Sequence, residues 1–133
     1  MKWTFDRILL ALGGLIFLGF GILLLVRPEV LAEIGISLES PTARADIRAI
    51  YGGLEIGVGL FLCVCALHES RVYFGLIGTA WITGFMAIGR LVGILLEGGD
   101  VDHLMWIFLG LESAWAILTL WLARRRGNAP API

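Results

Sequence analysis

Glu55, Arg90 and Glu112 each stand as the lone charge inside an apolar run of membrane-spanning length. Two carboxylates and one guanidinium suit each other chemically, because an arginine fork can hold two acids at once. A second group surrounds the first of them. Arg44, Arg48, Tyr51 and Glu55 follow steps of 4, 3 and 4, which places all four on one stripe of an α-helix. Such a set could bind a small solute or a lipid headgroup, pass a proton, or act only as a structural ion network. Each isolated charge at mid-membrane costs about 2.5–3.5 kcal/mol on insertion scales. Pairing Arg90 with Glu55 and Glu112 relieves much of that cost, and Arg48 brings the group to neutrality. The expected reading is therefore structural, with Arg48, Tyr51, Glu55, Arg90 and Glu112 as its members.

Other reactive side chains offer less. Cys63 and Cys65 are two apart, so on a helix they point in different directions and suit neither a disulfide nor a metal clip. They also lack the CxxC spacing of a thiol redox pair. His68 and His103 fall on opposite sides of the membrane in the topology below, so they share no metal. Asp100, Asp102 and His103 read as a solvated acidic loop. No glycine-rich phosphate loop precedes a helix, so no catalytic set, metal site, cofactor or nucleic-acid partner is expected.

The elements that must position these residues follow from composition. The chain of 133 residues is 59% hydrophobic and only 16% charged, with a mean hydropathy of +0.91. That is too little charge to coat a soluble protein. Residues 8–26 carry no charge at all, and 49–67, 72–96 and 104–123 carry one each. Each run is long enough to cross roughly 30 Å of hydrocarbon, and none alternates as a barrel strand would. The expected fold is all-α: a polytopic membrane protein with four transmembrane helices in an antiparallel bundle and a short interfacial helix between helices 1 and 2. Residues 1–126 read as one transmembrane domain and 127–133 as a flexible tail. The first run is longer than a signal-peptide core and lacks a small-x-small site before Arg27 and Pro28, so it reads as a retained helix.

Lys2, Arg7, Arg71 and Arg124–Arg126 fall on one side of this model, with the acidic loop "EGGDVDH" on the other. The positive-inside rule puts both termini in the cytoplasm of a bacterial inner-membrane protein. Trp3, Tyr73 and Trp121 mark the cytoplasmic boundary and Trp106 the outer one, while Trp81 and Trp115 fall deeper as packing residues. "SPTARAD" restarts a helix after the first connection, Ser40 capping and Pro41 opening it, for a second helix of about 27 residues. Arg90 then lies roughly 9 Å below the outer boundary and Glu112 roughly 12 Å. With Glu55 entering from the same side, all three charges fall in the outer half. Three small-xxx-small pairs, Gly53 with Gly57, Gly89 with Gly93 and Gly110 with Ala114, are expected to let the helices approach closely beside them.

The stretch "ARADIRAIYGGLEIGVGLFL" resembles the signature of a family of small bacterial four-helix membrane proteins known as domain of unknown function 4345. The likeness rests on Pro28 after the first span and on Ala45, Asp46, Arg48, Ala49, Tyr51, Gly52 and Gly53. It extends to Gly89 and Arg90 in the third span and Glu112 in the fourth, over residues 5 to 123. The resemblance implies a topology and no activity. The function expected is a non-enzymatic accessory or structural subunit, in contact with the bilayer and with a membrane protein partner or further copies of itself. A solute- or lipid-binding or transport protein using Glu55, Arg90 and Glu112 is the alternative, and a membrane enzyme the second alternative.

Overall fold

The computed structural model describes residues 3–127. Four long helices form: α1 (Phe5–Val26), α2 (Pro41–Leu67), α3 (Val72–Leu96) and α4 (His103–Gly127). All are long and apolar enough to span a bilayer, so the chain is an all-α multi-pass membrane protein. Lys2 and positions 128–133 of the expected tail lie outside the described residues, and Gly127 is the last residue of α4.

The chain divides after Glu69 into two compact units, each a pair of antiparallel helices. In the first, α1 ends at Val26 because Pro28 lacks the N–H to continue it, and a 3₁₀ turn at Pro28–Ile34 follows. That turn buries Pro28 and Leu31 and stops at Gly35, whose φ of 84° favours glycine. It is the short helix expected between the first two spans. Ser40 then caps α2, its Oγ accepting from Ala43 N at 3.0 Å, with Pro41 at the first position.

α2 is not uniformly α-helical. Residues Arg48–Gly53, "RAIYGG", form a π-helix between α-helical segments Pro41–Ile47 and Leu54–Leu67, and Leu54 N–H reaches back five residues to Ala49 O. A π-helix turns less per residue than an α-helix, so the 4, 3, 4 spacing no longer keeps Arg44, Arg48, Tyr51 and Glu55 on one stripe. Tyr51 is exposed, whereas Gly52 beside it is buried.

α1 and α2 pack through glycines at a different interval from the one expected. A methyl group added at Gly14 would sit 2.7 Å from Cys63 Sγ and 2.9 Å from Gly59 O. One at Gly21 would meet Ile56 N at 2.7 Å and Gly52 O at 2.9 Å, and one at Gly52 would meet the Leu25 backbone at 3.0 Å. At Gly59 the same methyl would lie 2.7 Å from both Gly14 O and Leu18 N. Gly14 and Gly21 are two helical turns apart, as are Gly52 and Gly59, a seven-residue repeat that keeps one seam facing its partner. At Gly57, Gly89, Gly93 and Gly110 an added methyl meets nothing within 4 Å among the described residues. Within their own helix pairs those positions and Ala114 make no tight approach.

In the second unit, α3 closes on Gly98 and Gly99, both at positive φ, with Gly99 N donating to Ile94 O at 2.9 Å. α4 returns alongside α3, with Ala116 beside Gly84 and Tyr73 beside Gly127. Buried Thr79, Thr83 and Thr119 return their hydroxyls to carbonyls of their own helices, at 2.8, 2.9 and 2.8 Å, which satisfies them without water. Trp81, expected to pack inside, is 63% exposed and leans on Phe85, so its ring faces the surroundings of the helix.

Candidate functional site: arginines that close the helix pairs

The charges act at three places. The first is the end of α2, whose last carbonyls have no helical partner. Arg7, only 3% exposed, donates from Nε to Ala66 O at 2.8 Å and from Nη2 to Leu67 O at 2.9 Å. Its Nη1 lies 3.4 Å from Glu69 Oε2, and its guanidinium sits 5.2 Å from the centre of the Trp3 ring. Asp6, in the first turn of α1, accepts from Arg7 N and from the Thr4 hydroxyl. A cation at a helix C-terminus is favoured by the partial negative charge there, and burial strengthens the effect.

The second place mirrors the first. Arg48 donates from Nε to Leu25 O at 3.0 Å, one residue before the end of α1. Each helix of the first pair therefore supplies an arginine to the carbonyl end of the other. Arg48 was expected beside Glu55 as a counter-charge; its bond to Leu25 O gives it a capping role, and the π-helix that begins at Arg48 separates it from Glu55. Arg44 likewise donates to Leu38 O, at 3.0 Å. Glu55 follows the π-helix by two residues. Its Oε2 is buried with no hydrogen-bond partner among the described residues, and no cation of its own helix pair lies within 4 Å.

The third place is the second helix pair. Arg90 of α3 grips Glu112 of α4 side-on, Nη2 to Oε1 at 2.6 Å and Nε to Oε2 at 3.0 Å. The side chains are 24% and 12% exposed. Nη1 points to Met105 Sδ at 3.4 Å, and the guanidinium stands 5.2 Å from the centre of the Phe108 ring. Met105, Phe108 and Glu112 are spaced three and four apart, so one stripe of α4 supplies the anion and its soft surroundings. Bidentate geometry at these distances is the strong form of an ion pair.

The remaining candidates are dispersed. Cys65 is buried, and Cys63 packs at Gly14. His68 Nδ1 lies 3.0 Å from Val64 O at the end of α2, and His103 lies 3.2 Å from Asp102 in the turn before α4. No group of three or more metal-binding side chains occurs among the described residues.

A family model described as a domain of unknown function, DUF4345, matches residues 5–123. The chain belongs to the DUF4345 family. No curated protein and no solved structure matches it. The matched region of this DUF4345 chain takes in all three arginine sites and the π-helical "RAIYGG" segment. Sequence reasoning missed Arg7 as a capping residue, because its acceptors are backbone carbonyls that no residue type betrays. The glycine seam did leave a signal, Gly at 14 and 21 and again at 52 and 59, which a search at four-residue spacing passes over.

Proposed function

We propose that this protein is a non-enzymatic accessory or structural subunit of a bacterial inner-membrane assembly. Both termini face the cytoplasm, and residues 1–126 work as one transmembrane domain. The observation that carries this reading is the exposure of α4. Only 6% of its most apolar stretch is buried, against 33% for α1 and 28% each for the spans of α2 and α3. A helix so little covered by its partner α3 presents its apolar faces to lipid or to other helices. The charges support the same reading. Arg7, Arg48, Arg90 and Glu112 are occupied with one another or with helix ends, which suits a scaffold. The orientation rests on Arg71 and Arg124–Arg126 at the turns and ends assigned to the cytoplasm.

Photo-crosslinking residues placed at Ile107 and Leu111, both exposed on α4, test the proposal in cells. A discrete protein adduct at one or both positions is expected. Adducts to lipid alone at both positions, with the chain migrating as a monomer in mild detergent, would overturn it.

A second reading has one observation in its favour, the buried and unpartnered Oε2 of Glu55 beside a π-helix, since π-helical turns recur at functional sites. In that reading Glu55, Arg90 and Glu112 bind a small solute or lipid. Glu55→Gln would then abolish substrate-dependent uptake in vesicles, whereas unchanged uptake would remove the reading.

A further inference from the structure

One face of α4 carries an open apolar groove that leads toward basic residues. Ala114, Ile117, Leu118 and Trp121 line an open groove of about 490 Å³ along the helix. The residues are spaced three and four apart, so the groove runs straight along α4 toward its C-terminal end. Continuing the same spacing leads to Arg124 and Arg125. The Arg125 guanidinium lies 3.8 Å from the centre of the Trp121 ring, which forms the last wall of the groove. From Ala114 to Arg125 is eleven residues, roughly 16 Å, about half the thickness of the hydrocarbon core. That is the depth of one leaflet's acyl chain with its headgroup at the arginines.

Among the described residues, Arg124 and Arg125 face no acid of their own helix pair. The acids of residues 70–127 are Glu97, Asp100, Asp102 and Glu112. The first three lie at or beside the opposite turn, and Glu112 is held by Arg90. Neither Arg124 nor Arg125 has a carboxylate within 4 Å among the described residues, and both are exposed. Arg71 is exposed at the start of α3, and Tyr73 beside Gly127 brings that start to the same end of the pair. Positive charge thus gathers at one end and negative charge at the other. An open apolar groove leading to a guanidinium stacked on an indole, with a second arginine next to it in the chain, fits an anionic phospholipid, its acyl chain in the groove and its phosphate at Arg125 and Arg124.

We propose that α4 holds one anionic phospholipid in this way. The site is separate from the Arg90–Glu112 pair and independent of which protein covers the rest of α4.

Native mass spectrometry of the full chain released from detergent tests it, with phosphatidylglycerol, phosphatidylcholine or inorganic phosphate added in separate arms. One phosphatidylglycerol should be retained in preference to phosphatidylcholine, and inorganic phosphate should not displace it. Neutralising one arginine near a membrane surface costs about fivefold, so the Arg124→Gln, Arg125→Gln double variant should bind phosphatidylglycerol roughly thirtyfold more weakly. Ala114→Trp, which fills the groove and leaves the charges, should also lose the adduct. Helical circular dichroism and elution volume equal to wild type certify each variant as folded. Equal retention of both lipids, displacement by inorganic phosphate, an unchanged adduct in the double variant, or a second copy of the chain in place of lipid would each overturn the proposal.

Discussion

Replacing Arg7 by glutamine removes a guanidinium that holds two carbonyls at the end of α2, 2.8 and 2.9 Å away. A hydrogen bond from a charged donor contributes about 1.5–3 kcal/mol, and a cation at a helix C-terminus about 0.3–1 kcal/mol more. The Arg7 side chain is only 4% exposed, so solvent does little to screen or replace these bonds. Glutamine can recover at most one neutral bond of about 1 kcal/mol. The expected loss is about 3 kcal/mol. Lysine keeps the charge and loses the planar fork, so Arg7→Lys should fall about midway between glutamine and wild type. Unfolding in mixed micelles of increasing dodecyl sulfate fraction, followed by tryptophan fluorescence, measures both. A loss below about 1 kcal/mol for Arg7→Gln, or equal losses for the two variants, would refute the capping argument.

Arg48 is half-buried and donates one solvent-exposed bond to Leu25 O, so Arg48→Gln should cost about 1 kcal/mol, clearly less than Arg7→Gln in the same titration. Gly59→Val pushes carbon into the backbones of Gly14 and Leu18 and should destabilise by at least about 3 kcal/mol, whereas Gly89→Ala, with nothing within 4 Å, should stay within about 0.5 kcal/mol of wild type. Comparing the two unfolding midpoints checks the seam directly. Changing both cysteines to serine places a hydroxyl at buried Cys65, but a helical serine can return that group to a carbonyl of its own turn. The double variant should therefore fold with an unchanged helical circular dichroism spectrum, and a collapsed spectrum would show that the thiols matter beyond filling space.

Much of the fold is legible in the residues themselves. Long uncharged runs demand helices, and Ser40 with Pro41 fixes the start of α2 because a cap and a pre-set φ are local properties. The meeting of Arg90 and Glu112 is legible too, since a six-residue turn makes depth on α3 predict depth on α4. The π-helix is less accessible. Its hydrogen bonds run to the fifth residue back, and no residue pattern announces that choice over the fourth. Its consequence is large, because it turns Tyr51 and Glu55 off the stripe that Arg44 and Arg48 begin, while Arg48 bonds the end of α1. Trp81 shows the other limit: aromatic character alone does not turn a ring toward the partner helix of its own pair.

Buried charge in this chain holds helices together, and the Arg90–Glu112 pair is where that coupling can be measured without intermediaries. A double-mutant cycle with Arg90→Met, Glu112→Met and the double variant isolates their coupling in the unfolding titration. Bidentate contact at low exposure predicts a coupling of about 2 kcal/mol, with the double variant more stable than the sum of the single losses implies. Additivity within about 0.5 kcal/mol would mean that the two side chains do not hold α3 to α4, and would contradict the account.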